Sequence, residues 1–161
     1  MTTNMAAEKN TNPEIIAAPP RLYLIAFTIS VILHLVHPVT VTDQTLYRMA
    51  IGVTLLVINA ILVRWAFVTM RTAQTSPHPY ESSTALVVTG PFKFSRNPVY
   101  VAMTGLYFAA ALIINSLWPL LLLLPLMVTM HVGVVLREES YLEQRFGAVY
   151  AAYKMRVRRW L

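Results

Sequence analysis

Arg96, Asn97 and Pro98 join a fixed positive charge to the expected start of a helix. Asparagine is a favoured N-cap and proline is tolerated at the first helical position, so the spacing predicts a helix beginning at Pro98. The unpaired N–H groups and positive dipole end of that helix then lie beside Arg96, a combination suited to holding an anion. These residues sit in a basic, turn-rich run at 90–100, Gly-Pro-Phe-Lys-Phe-Ser-Arg-Asn-Pro-Val-Tyr. A second cluster, Arg137, Glu138 and Glu139, stands where a later apolar segment ends. Adjacent carboxylates point in different directions on a helix. One is therefore expected to enter a pocket while the other pairs with Arg137 or Arg96. Tyr100, Thr104 and Tyr107 share a helical face, and His131, Val135, Glu138 and Glu139 form a second stripe. A histidine inside an apolar segment is costly and often functional, whereas an aromatic stripe is usually packing.

Long apolar elements must position these groups. Of the 161 residues, 57% are hydrophobic and 12% charged, about half the charge of a soluble domain, which points to a membrane protein. The fold expected is all-α and integral to the membrane, with about four spans near 22–39, 46–70, 98–114 and 118–136. Thr42 or Asp43 is expected to cap the second span, and Pro125 to bend the fourth. Only Asn115, Ser116 and Leu117 separate the last two spans, which requires a tight antiparallel hairpin with Trp118 at the interface. A Pro-rich tail at 1–20 is expected to be disordered, ahead of a single domain at 21–161. The long connection at 71–97, which includes Ser76-Pro77-His78-Pro79, is a candidate functional loop. Residues 138–161 read as an amphipathic C-terminal cap broken at Gly147, lying along the membrane surface or folded over the site.

Charge sets the expected orientation. Four spans place the tail, the 71–97 loop and the C-terminus on one side, where nearly all the basic residues fall, and leave Arg48 on the other. By the positive-inside rule both termini and the polar clusters face the cytoplasm. The net charge of +6 flanks apolar segments and does not form a soluble basic face, so anionic lipid explains it better than nucleic acid. The absence of cysteine excludes disulfides and thiolate chemistry. His34, His37, His78 and His131 are scattered and lack metal-ligand spacing, so no metal is expected. A non-enzymatic reading, a transporter subunit or scaffold, needs polar residues at mid-membrane, for which Asn59, Thr104 and Thr129 are thin support.

Three motifs in order carry a resemblance. Thr-x-Pro-x-Pro at 75–79 and the run at 90–100 are followed at 137–153 by Arg-Glu-Glu-Ser-Tyr-Leu-Glu-Gln-Arg-Phe-Gly-Ala-Val-Tyr-Ala-Ala-Tyr. Together they resemble the integral-membrane methyltransferases of the isoprenylcysteine carboxyl methyltransferase and phospholipid N-methyltransferase superfamily, whose marks are Arg-(His/Asn)-Pro-x-Tyr, Glu-Glu-x-x-Leu and Phe-Gly-x-x-Tyr-x-x-Tyr. Asn97 stands where the isoprenylcysteine branch has histidine, and the closing Val-Arg-Arg-Trp looks more like bacterial members.

The resemblance implies S-adenosylmethionine as methyl donor, a lipophilic or lipid acceptor, and a site facing the cytoplasm, in a bacterial inner membrane. Arg96, Asn97, Pro98 and Tyr100 match its first motif and Glu138 and Glu139 its second. With these residues, Arg96 and the helix start are expected to hold the donor's carboxylate. Glu138 or Glu139 would hold its ammonium or a ribose hydroxyl, and Tyr100, His131, Phe146, Tyr150 and Tyr153 would wall the adenosine. Glu139, Arg96 and His131 are the expected catalytic residues.

Overall fold

The computed structural model describes residues 13–76 and 83–161; the Pro77-His78-Pro79 part of the loop motif and residues 1–12 of the expected tail lie outside them. The chain is all-α, 73% helical. The helices are α1 (Pro19–Val36), α2 (Thr45–Thr72), α3 (Pro98–Ile113), α4 (Trp118–Met130), α5 (Leu136–Phe146) and α6 (Ala148–Arg156). A short 3-10 turn, Gly90–Lys93, precedes α3, and a π segment, His131–Val135, joins α4 to α5. Three rods are long and apolar enough to cross a bilayer: α1, α2 and the continuous Trp118–Phe146. At 16 residues, α3 is about 24 Å long, shorter than a bilayer core of about 30 Å.

Small residues let these helices approach closely, as membrane helices require. Along α2, Gly52 meets Ile113 and Ala109, and the Asn59 side chain lies directly over Gly105 of α3. Asn59 donates to the Leu55 carbonyl in its own helix at 2.8 Å. From the other side α1 brings Tyr23, whose hydroxyl is 2.7 Å from Thr104 Oγ1 and whose ring meets Tyr107 edge-on. Ser30 reaches the Tyr107 hydroxyl at 3.1 Å. The core is Tyr23, Tyr107, Leu126, Met130 and Val134. Outward-facing Leu24, Leu35, Ile61 and Leu124 are exposed, as an apolar solvent favours.

Several expectations change. Residues 13–18 are not a free tail. Ile16 N–H donates to the Gly133 carbonyl at 3.1 Å, and Arg137 Nη1 donates to the Glu14 carbonyl at 2.7 Å. The glycine matters here, since a Cβ on residue 133 would sit 2.3 Å from Ile16 Cδ1. The helix that carries the fourth span does not stop near 136 but continues to Phe146, because nothing in Leu136–Phe146 breaks a helix before Gly147. There the chain turns sharply, with φ +52 and ψ −125, a conformation that side chains disfavour. Neither Thr42 nor Asp43 caps α2; Gln44 holds the N-cap position without a side-chain bond.

Candidate active site

The helix start at Pro98 is as expected, but Asn97 does not cap it with its side chain. Asn97 Nδ2 instead donates to the Arg159 carbonyl at 3.0 Å. The C-terminal residues 157–161 form a strap across the start of α3. Arg96 N–H donates to the Arg158 carbonyl at 2.9 Å, and Ser95 Oγ to the Arg159 carbonyl at 3.3 Å. The Gly147 turn makes this possible by sending α6 back over the 3-10 turn. There Tyr153 donates its hydroxyl proton to the Phe92 carbonyl at 2.7 Å, and Tyr150 is fully buried.

One carboxylate organises this end of the bundle. Glu139 is 6% exposed and takes a forked pair of bonds from Arg159, Nε to Oε1 at 2.8 Å and Nη2 to Oε2 at 2.9 Å. Arg96 Nη1 lies 3.2 Å from the same Oε1. Its alignment falls short of a hydrogen bond, and Arg96 Nε and Nη1 are buried without hydrogen-bond partners. The Arg96 side chain is 9% exposed. Glu139 thus faces two guanidinium groups, while a second carboxylate, Glu138, lines the same hollows. Arg159 is pushed up from its ordinary value, first by its hydrogen bonds to Glu139. The Tyr150 phenol is raised to about 12 by burial and by Glu139, with Arg96 opposing.

Glu138 has a separate environment. It accepts the Tyr100 hydroxyl proton at 2.6 Å and faces a cavity of about 400 Å³ whose lining includes Phe67, Met70, Arg96, Pro98, Tyr100 and Met103. A smaller hollow of about 90 Å³, lined by Arg96, Asn97, Glu138, Glu139, Tyr150 and Tyr153, adjoins it. The larger volume is within the roughly 300–1,000 Å³ of small-molecule sites. Pro13, Pro19 and Pro20 close its N-terminal side, and Ser83 and Arg145 tie the loop's far flank to α5.

The structure thus brings together Arg96, Asn97, Pro98, Tyr100, Glu138, Glu139 and Tyr150 around these two hollows. His131 lines neither hollow; its ring lies 6.5 Å from that of Trp160. The π segment explains this. The Leu136 N–H reaches back five residues to the His131 carbonyl, a wider turn that takes up about one extra residue. Beyond it Glu139, not Glu138, falls on the His131 side, and the consecutive strap residues Arg159 and Trp160 meet the two of them. Arg159 is the charged site residue that sequence reasoning missed, because a basic residue in this tail was explained by topology alone; the apolar wall of Phe67, Met70 and Met103 was not foreseen either. The expected pairing of one glutamate with Arg96 is met by Glu139, while Arg137 turns to the tail.

A largely apolar cavity that ends in charged groups thus lies at one end of a bundle of apolar helices. Residues 47–149 match the phospholipid methyltransferase family, and the chain belongs to it. It is accordingly a membrane methyltransferase with a lipid-type acceptor. No curated protein and no solved structure matches the chain.

Proposed function

We propose that this protein transfers a methyl group from S-adenosylmethionine to the polar head of a lipid at the cytoplasmic face of a bacterial inner membrane. The observation that carries the donor assignment is Arg96. Its Nε is buried without a hydrogen-bond partner, its Nη1 has only the ion pair to Glu139, and the residue lines both hollows. An unsatisfied buried donor is costly, and an incoming carboxylate removes that cost with charge-assisted bonds. The residues present therefore fit the donor. Arg96 and the free N–H groups at the start of α3 would hold its carboxylate, Glu138 its ammonium or a ribose hydroxyl, and Tyr150 and Tyr153 the adenosine. When bound, the donor supplies a methyl group made electrophilic by a sulfonium.

The chain's own part is positioning and drying. Phe67, Met70 and Met103 offer an apolar wall for the acceptor's tail, and holding two reactants in line contributes most of what a displacement needs. The cytoplasmic assignment is supported by charge, since Arg71, Lys93, Arg96 and the basic C-terminus share the end opposite Arg48. The direct test uses purified protein in nanodiscs. Calorimetry is expected to show saturable S-adenosylmethionine binding, and isotope from the labelled methyl group should enter the lipid fraction of a bacterial extract. Folded protein that binds no donor would falsify the assignment.

A further inference from the structure

We infer that the C-terminal strap is a working part of the donor site, and that Arg159 is a positioning residue that occupies Glu139 as an anchor so that Arg96 keeps bonding capacity for an anion. This rests on the donor assignment above and divides the labour between the two glutamates. Glu139 has both oxygens engaged, by Arg159 in a fork and by Arg96 at 3.2 Å, so it has little capacity left for a ligand's ammonium. Its role is to fix two arginines. Glu138, whose hydrogen-bond partner is Tyr100, is the carboxylate open to the ligand's cationic part.

The strap grips Arg96 from two directions. The Arg158 carbonyl takes its backbone N–H, while Arg159 orients the glutamate beside its guanidinium. The Arg159 carbonyl also takes Asn97 Nδ2 at 3.0 Å, which diverts that side chain from capping and leaves the N–H groups at the start of α3 uncapped. Next along the strap, Trp160 packs on His131. His131 therefore belongs to the strap's seat and acts through Trp160. The uncapped helix start and the unpartnered Arg96 Nε coincide at one place, and both favour an anion.

The alternative is that the strap only clasps the fold, and a ligand lacking the carboxylate separates the two. Affinities for S-adenosylmethionine and for decarboxylated S-adenosylmethionine are measured on wild type, R159A and R159K in nanodiscs. R159A is expected to weaken the full donor at least about tenfold, the scale of a charge-assisted contact, and to leave the decarboxylated compound within about threefold. R159K should recover part of the loss, because lysine restores the charge without the fork. Equal losses for both ligands would make the strap a clasp and overturn the inference. So would unchanged binding, or tighter donor binding, which would mean that Arg159 obstructs Glu139. Wild type that binds neither ligand overturns the donor assignment itself, and this inference with it. Should R159A not fold, R159K carries the same comparison of ratios.

Discussion

The two ends of α3 are each met by an arginine, and they use it in opposite ways. At the C-terminal end Arg48 Nη1 donates to the Leu112 and Ile113 carbonyls, the latter at 2.7 Å, meeting the negative end of the helix with a cation. The surrounding turn is knitted shut. Asn115, at φ +54, accepts the Val41 and Thr42 N–H groups, and Trp118 Nε1 donates to the His37 carbonyl at 2.7 Å. At the N-terminal end Arg96 is held by a carboxylate but keeps unpaired atoms, and the cavities open beside it. Each arginine keeps a buried Nε without a hydrogen-bond partner; what sets Arg96 apart is that it lines both hollows, whereas Arg48 lines neither. An unpartnered buried donor that borders a hollow is where an anion would relieve the cost of burial.

The sharpest way to break the contrast is to remove the anchor. Glu139→Ala leaves two arginines facing each other with no counter-charge, a change that costs about 3–5 kcal/mol in buried sites. A large fall in melting temperature and loss of donor binding are expected together. Glu139→Gln keeps the shape and should still lose most binding, since a neutral amide cannot hold two guanidinium groups. Melting curves and calorimetry on both variants check this, and near-normal donor affinity in Glu139→Gln would contradict an anchoring role.

Next come the arginines themselves, in opposite columns. Arg96→Ala should lower donor affinity by more than about tenfold, with a smaller thermal effect because Arg159 still neutralises Glu139. Arg48→Ala should do the reverse, costing about 1–3 kcal/mol through two carbonyls left short of a donor while donor affinity holds. If Arg48→Ala also abolished binding, the two ends would not be independent.

How much of this could be read from residues alone follows from range. The helix start at Pro98, the break at Gly147 and the tight turn at Asn115 depend on rules acting over a few residues, and all three were legible. So was the divergence of Glu138 and Glu139, which helix geometry dictates. The π segment was not, because no local residue type distinguishes His131–Val135 from ordinary helix, yet it decides which glutamate faces which way. Arg159 was hidden for a related reason. Its partner lies 20 residues back, beyond a chain reversal, and a basic residue near a membrane already had a sufficient explanation in topology.

A middle-sized effect probes the rod between the two ends. A Cβ at Gly105 would sit 2.2–2.4 Å from the side-chain atoms of Asn59, which is 8% exposed and tied to Leu55. Gly105→Ala must push Asn59 aside or part α2 from α3, and overpacking of this kind costs about 1–3 kcal/mol. The second variant Gly105→Ala/Asn59→Ala should regain much of the loss, and thermal melts of the pair test whether the two residues couple.

The smallest expected effect belongs to the closed end. Trp118→Phe keeps an aromatic ring against His37 but removes the N–H that the His37 carbonyl accepts. A single such bond is worth about 0.5–1.5 kcal/mol, and this carbonyl stands near the end of α1, where water can replace the lost donor. The melting temperature should therefore fall by a few degrees at most, with donor affinity and methyl transfer unchanged. A loss of activity out of proportion to that small thermal shift would mean that strain at the knitted turn travels the length of α3. In that case the division between a structural end and a chemical end would have to be given up.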